Sequence, residues 1–120
     1  MTTRPRRPVG RIPVRTAEDD WQQQVTQLAE LLGWQWMHVR KCRVRDDQYA
    51  TPTSIPGWFD LYLWHERQHR AMHVELKGDG GQLSADQRTH LASLQAAHIE
   101  AYVWWPRDLP TVETILRRKP

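Results

Sequence analysis

Cysteine is almost missing from this chain. A lone Cys42 among 120 residues has no partner for an internal disulfide and cannot build a multi-thiolate zinc site. Long apolar runs are absent as well, and nothing approaches the roughly 18 consecutive apolar residues that a membrane-spanning helix requires. The N-terminal stretch MTTRPRRPVGRIPVR is basic, but no apolar block or small-residue cleavage site follows it, so a cytoplasmic rather than a secreted protein is expected. Internal repeats and low-complexity tracts are also lacking. What remains is 39% apolar and 26% charged, a globular balance, at a length that suits one compact domain.

Acidic residues are missing from the two ends. Residues 1–15 hold five Arg and no acid, and Arg117, Arg118 and Lys119 add three positive charges at the far end, while the overall charge is only +3. The body between them sets 9 basic against 14 acidic residues, a net −5. An acidic body with basic ends suits a polyanion held by flexible arms, with carboxylates gathered inside for another purpose. Solubility, or a tail ordered by some other partner, would explain such ends too.

Residues 1–15 include three Pro and a Gly without periodic apolar pattern, and are expected to be an extended arm. Folding is expected from Thr16 to Leu116, with 117–120 as a basic tail. Thr16-Ala17-Glu18-Asp19 matches a capping box, and Trp21, Val25, Leu28 and Leu32 recur at helical spacing, predicting a helix over about 17–32 ended by Gly33. GWQWMHV, residues 33–39, alternates like a strand. The stretch 40–56 has no period and reads as a long, functional loop. Two strand-like runs, Phe59 to Trp64 and Ala71 to Lys77, flank the polar segment HERQHR and form a hairpin pattern. Ser84 caps a second helix carrying Gln87, Leu91 and Leu94, residues 99–104 form another strand, and a closing helix passes through Val112, Ile115 and Leu116 with Pro110 in its first turn. This order predicts an α/β fold, a mixed sheet flanked by helices.

The hairpin carries the chemistry. With its loop centred between residues 67 and 68, paired positions add to 135, and Asp60 stands opposite Glu75 on one face, with Cβ atoms roughly 4.5 to 5.5 Å apart. Facing carboxylates repel unless something neutralises them, and a divalent cation held between their oxygens does so. Lys77, two residues beyond Glu75, projects from that face. Hard oxygen ligands and a lysine are what metal-assisted phosphodiester hydrolysis needs. A one-residue register slip would instead separate the faces and leave a solvated sheet surface.

GWFD at 57–60 and VELKG at 74–78 resemble the D…ExK signature of PD-(D/E)XK nucleases. More closely, the chain resembles the VRR-NUC branch, small nucleases associated with phage and with DNA repair. The resemblance runs from about Thr16 to Leu116 and includes AEDDWQQQVTQLAELLGW, the His of WMHV, ELKG, the LSADQ helix start and the VWWPRDL ending. It implies a restriction-endonuclease-like fold and a Mg²⁺- or Mn²⁺-dependent DNA endonuclease. It further implies that Asp60, Glu75 and the Leu76 carbonyl hold the metal, and that Lys77 is the catalytic lysine. Glu18 would be the acid of the first motif, and Gln87 would point into the site. Phe59 stands where that family usually has Pro. Glu18 is equally an acid favoured by a helix dipole, and Gln87 a capping-box partner of Ser84. A small domain with one metal site presents little surface to a duplex, so a pairing of two copies is expected, and the resemblance to stand-alone members of the family implies branched or junction DNA as substrate and a host cytoplasm if the gene is phage-borne. A non-catalytic DNA-binding or assembly module on a degenerate nuclease fold is the alternative, against which the intact D…ExK triplet counts.

His65-Glu66-Arg67-Gln68-His69 also matches the H-E-x-x-H zinc peptidase pattern, continued by His73, but that chemistry needs a helix and the flanks read as strands. Of the seven Trp, Trp21, Trp34 and Trp104 are expected in the core, and Trp58 at the mouth of the site, where an unpaired base could stack. Arg40, Lys41, Arg43 and Arg45 are candidates for phosphate contacts, or for an ordinary solvated loop.

Overall fold

The computed structural model describes residues 17–39, 42–45, 48–50, 57–59 and 61–118, without the side chains of Glu18 or of residues 42–45 and 48–50. The basic arm, Thr16 and the last two residues therefore lie outside the described residues, as do Arg40, Lys41 and Asp60.

Helix α1 spans Ala17–Leu31. Its four-residue spacing puts Trp21, Val25 and Ala29 on one buried face. The helix ends where Gly33 takes a left-handed φ of 93°. There the Gly33 N–H reaches the Glu30 carbonyl and the Trp34 N–H reaches that of Ala29, a Schellman ending that glycine enters without penalty. The first strand, β1, is consequently shorter than its alternation predicts, at Gln35–His38.

The supposedly aperiodic stretch 40–56 is a correction to the sequence reading. It contains two short antiparallel strands, β2 (Cys42–Arg45) and β3 (Gln48–Ala50), that form a sheet of their own. A register shift between Arg43 and Arg45 breaks the two-residue alternation, so the pattern is not visible in so short a run.

The main sheet joins β1, β4 (Leu61–His65), β5 (Arg70–Leu76) and β6 (Glu100–Trp104) in that order. The β1/β4 and β4/β5 pairs are antiparallel, and β5/β6 is parallel. Parallel neighbours require a crossover, supplied by helix α2 (Ala85–Ala96). A 3₁₀ turn at Pro106–Asp108 leads into α3 (Leu109–Arg117). The result is the α/β mixed sheet flanked by helices that the element order predicts.

One sheet face packs against α1 and α3. Leu61, Leu63, Met72, Val74, Leu76 and Trp104 meet Trp21, Val25, Val112 and Leu116 there, all buried. Each large side chain removed from water in this way contributes about 1.5 to 3 kcal/mol. Two indoles pin the layers: Trp21 Nε1 donates to the Trp104 carbonyl at 3.0 Å, and Trp34 Nε1 to that of Leu116 at 2.9 Å. Buried Arg70 adds a polar tie. It forms a two-pronged bond to Glu100 at 2.8 and 2.9 Å and donates to the Ile115 and Arg118 carbonyls, closing the otherwise unpaired C-terminal end of α3. Arg118, expected in a basic tail, reaches Glu100 and Tyr102.

Candidate active site

The opposite sheet face is covered by α2 and carries the candidate site residues Glu75 and Lys77. Successive residues of β5 alternate between the faces, so Met72, Val74 and Leu76 enter the core while His73 and Glu75 face α2. Lys77 follows the same alternation. The β4/β5 register pairs Leu61 with Val74 and Tyr62 with His73, so paired positions add to 135 as the loop centre predicts. No one-residue slip occurs.

Glu75 is 3% exposed. Its Oε2 stands 3.5 Å from Lys77 Nζ, and the lysine side chain retains 17% exposure. A carboxylate so deep is stabilised by a nearby ammonium, and the ammonium keeps a path to solvent. Lys77 is held at both ends. Its N–H donates to the Trp104 carbonyl, which also takes the Trp21 indole, so the start of α1, the end of β6 and Lys77 meet at one oxygen. Its aliphatic stem lies against Gly81, where a Cβ would sit in ordinary contact with the lysine Cβ and Cδ at 3.4 and 3.5 Å and tight against the Gly78 carbonyl oxygen at 3.1 Å. Trp105 Nε1 fixes that turn by donating to the Gly81 carbonyl at 2.8 Å, and the Arg107 guanidinium lies over the Trp105 ring at 5.0 Å. The roles of Trp105, Gly81 and Arg107 are not legible in spacing alone.

The GWF turn before Asp60 is clamped against α2. Gly57 has φ 78°, and a Cβ there would fall 2.4 Å from the Asp86 backbone, so glycine is required by both conformation and space. Trp58 packs against the His73 ring at 5.1 Å and the His90 ring at 4.9 Å. Phe59 is buried with Leu94 and Ala101 and meets His90 edge-on. An aromatic anchor thus occupies the position where the resembled family usually has a turn-forming proline. His73 Nδ1 and His90 Nε2 have no hydrogen-bond partner among the described residues. Burial pushes both imidazoles below their ordinary pKa, His90 adding to the effect on His73, so this ring cluster is uncharged at neutral pH.

Gln87 closes the expected capping box: its side chain accepts from the Ser84 N–H at 3.0 Å while its own N–H donates to the Ser84 hydroxyl at 3.1 Å. Glu18 lies in the first turn of α1, one turn before the anchored Trp21. Leu76 sits between Glu75 and Lys77, opposite Trp104. Arg43 and Arg45 lie on β2, away from the main sheet's hydrogen-bond ladder. The facing of Asp60 and Glu75 falls outside the described residues, and among those described no group of three or more His, Cys, Asp or Glu side chains forms a metal cage.

The H-E-x-x-H segment is no zinc helix. His65 ends β4, residues 66–69 turn, and β5 begins at Arg70. Both His65 ring nitrogens are engaged: Nδ1 accepts from the Gln68 N–H, which leaves Nε2–H to donate to the Leu32 carbonyl at 3.0 Å. The five-residue match is a hairpin turn.

No helix among the described residues is long and apolar enough to cross a membrane. No curated protein and no solved structure matches the chain. Comparison with known families, however, matches residues 19–105 to the VRR-NUC domain, a span that takes in α1 from Asp19 onward, the whole main sheet, Glu75, Lys77 and α2. With a mixed sheet that presents a buried carboxylate and a lysine from one strand end, the chain belongs to the VRR-NUC family, within the PD-(D/E)XK nuclease superfamily.

Proposed function

We propose that the protein is a metal-dependent DNA endonuclease that hydrolyses phosphodiester bonds by water attack, with Asp60, Glu75 and Lys77 at its centre. The observation that carries this reading is Glu75, buried to 3% exposure on a strand whose last observed pairing with β4 is Val74 with Leu61. Carried one step further, the same register would set Asp60 opposite Glu75. The donors are hard oxygens, the type Mg²⁺ or Mn²⁺ takes, so the carboxylates of Asp60 and Glu75 and the Leu76 carbonyl would hold the ion. Bound there, the ion supplies polarisation of the scissile phosphate and a more acidic water. Lys77 orients the attacking water and offsets charge building on the phosphate, its ammonium being steered by Glu75 and its aliphatic stem lying against Gly81. Glu18 assists from the first turn of α1. Gln87 braces the start of α2 against the GWF turn and from there borders the site.

Arg40, Lys41, Arg43, Arg45 and the basic arm would bind phosphates, and Trp58 an unpaired base. A small domain with one site covers little of a duplex, which favours two copies acting on branched or junction DNA. A setting in the cytoplasm, or a phage-infected host, follows the same reading. Cleavage of single-stranded, duplex, flap and four-way DNA in Mg²⁺ or Mn²⁺ against EDTA tests it. Cleavage is expected in metal alone, lost in Asp60→Ala and Glu75→Ala, and unchanged cutting by both variants rejects the site.

A further inference from the structure

At the other end of the sheet face that carries Glu75, a groove of about 450 Å³ opens over the starts of β5 and β6. Tyr62, His69, His73, His98 and Ile99 line it, beside the Arg70–Glu100 ion pair. His69 (φ 54°) and His98 (φ 62°) are the non-glycine residues with left-handed backbone among those described. His98 ends α2 in the Schellman arrangement that Gly33 completes for α1, its N–H on the Gln95 carbonyl and that of Ile99 on Leu94. Glycine would be the lower-energy choice at such a position, so helix termination does not account for an imidazole there.

The groove connects to the candidate active site through a row of rings. Trp64 and Tyr62 lie 5.6 Å apart, Tyr62 and His73 4.9 Å, and His73 and Trp58 5.1 Å. Half-exposed Met37 is paired with Tyr62 on the neighbouring strand. Along β5, His73 is about 7 Å from Glu75 and Arg70 about 17 Å, at roughly 3.3 Å per residue. A stacked strand of DNA advances about 3.4 Å per nucleotide, so the groove faces the second to fifth nucleotide from the carboxylate. Its lining suits a flat heterocycle with polar edges: aromatic faces for stacking and imidazoles that both donate and accept, while the Arg70 guanidinium turns to the other face, bonded to Glu100 and the end of α3, and is not aimed at phosphate.

We propose that this groove is a base-binding subsite, which takes an unpaired nucleobase a few nucleotides from the scissile phosphate, stacked on Tyr62 and edged by His69 and His98. This inference rests on the nuclease reading of Glu75 and Lys77. The test uses the full chain with Ca²⁺ in place of Mg²⁺. The probes are a blunt duplex and the same duplex with a single-stranded extension carrying 2-aminopurine at each of its first six positions. The wild type should quench the probe at one or two adjacent positions and prefer the extended duplex. Tyr62→Leu should lower the affinity ratio of extended to blunt duplex about tenfold, as loss of one base stack does. His98→Gly should lower it about threefold while melting no earlier than the wild type, because glycine suits that backbone. An unchanged ratio in both variants, or no position-specific quenching, overturns the subsite. A wild type that cuts DNA in Mg²⁺ yet fails this test loses the subsite alone. One that quenches the probe yet cuts nothing in Mg²⁺ or Mn²⁺ loses the nuclease reading and keeps the subsite.

Discussion

The two faces of the main sheet are built from the same strands and do opposite work. The face toward α1 and α3 is a continuous apolar layer, closed by two indole hydrogen bonds and one buried arginine. The face toward α2 has a small apolar cluster of Phe59, Leu94 and Ala101. Beside it sit a carboxylate, a lysine and two imidazoles each with a ring nitrogen that finds no partner among the described residues. Strand alternation alone separates these inventories, residue by residue along β5. One face supplies enough burial to let the other carry charge and unsatisfied polar groups that a small core could not otherwise hold.

That contrast breaks most sharply under paired substitutions. Glu75→Gln should reduce metal-dependent cleavage at least about 100-fold, the scale on which a transition-state contact acts. Its melting temperature should stay near the wild type's. Leu63→Ala, on the packed face, should instead cost about 2 to 5 kcal/mol of stability in a urea titration. Residual activity below its melting point should be normal. If Glu75→Gln melted the domain, or Leu63→Ala spared its stability, the division of labour would be wrong.

Smaller changes sharpen the boundary between the faces. Gly57→Ala forces a side chain against the Asp86 backbone and a left-handed φ, so a loss of at least about 1 to 2 kcal/mol from the φ alone is expected, with the clash adding to it. Cleavage should fall further than that stability loss explains, because the turn leads into Asp60. Ser84→Ala removes the α2 cap and should cost about 1 kcal/mol by thermal denaturation. Its cleavage should drop only modestly.

The smallest effect belongs to pH. Arg70 holds the Glu100 carboxyl below its ordinary range, chiefly through their hydrogen bonds. The resulting stability is present above the usual glutamate range and fades as the pH falls through that range and below it. The melting-temperature gap between wild type and Glu100→Gln should therefore be widest near neutrality and close in acid.

Residue pattern alone made much of this legible. The apolar spacing of Trp21, Val25 and Ala29 dictates α1, and Ser84 with Gln87 dictates the start of α2, because caps and helical faces are local. The hairpin register follows from the turn position, and with it the shared face of His73, Glu75 and Lys77. The β2/β3 pair escaped notice because three- and four-residue strands with a bulge carry no usable period. Local pattern could not reveal that Gly57 abuts the first turn of α2, or that Trp105 braces Gly81 behind Lys77. Nor could it show that His69 and His98 share a groove. Those contacts join residues 24 to 29 positions apart, brought together only when the crossover helix packs and the parallel strand closes. Local chain chemistry therefore determined which side chains share a face. Long-range packing decided which of them meet, because only a folded sheet and its covering helix bring such distant segments within contact distance.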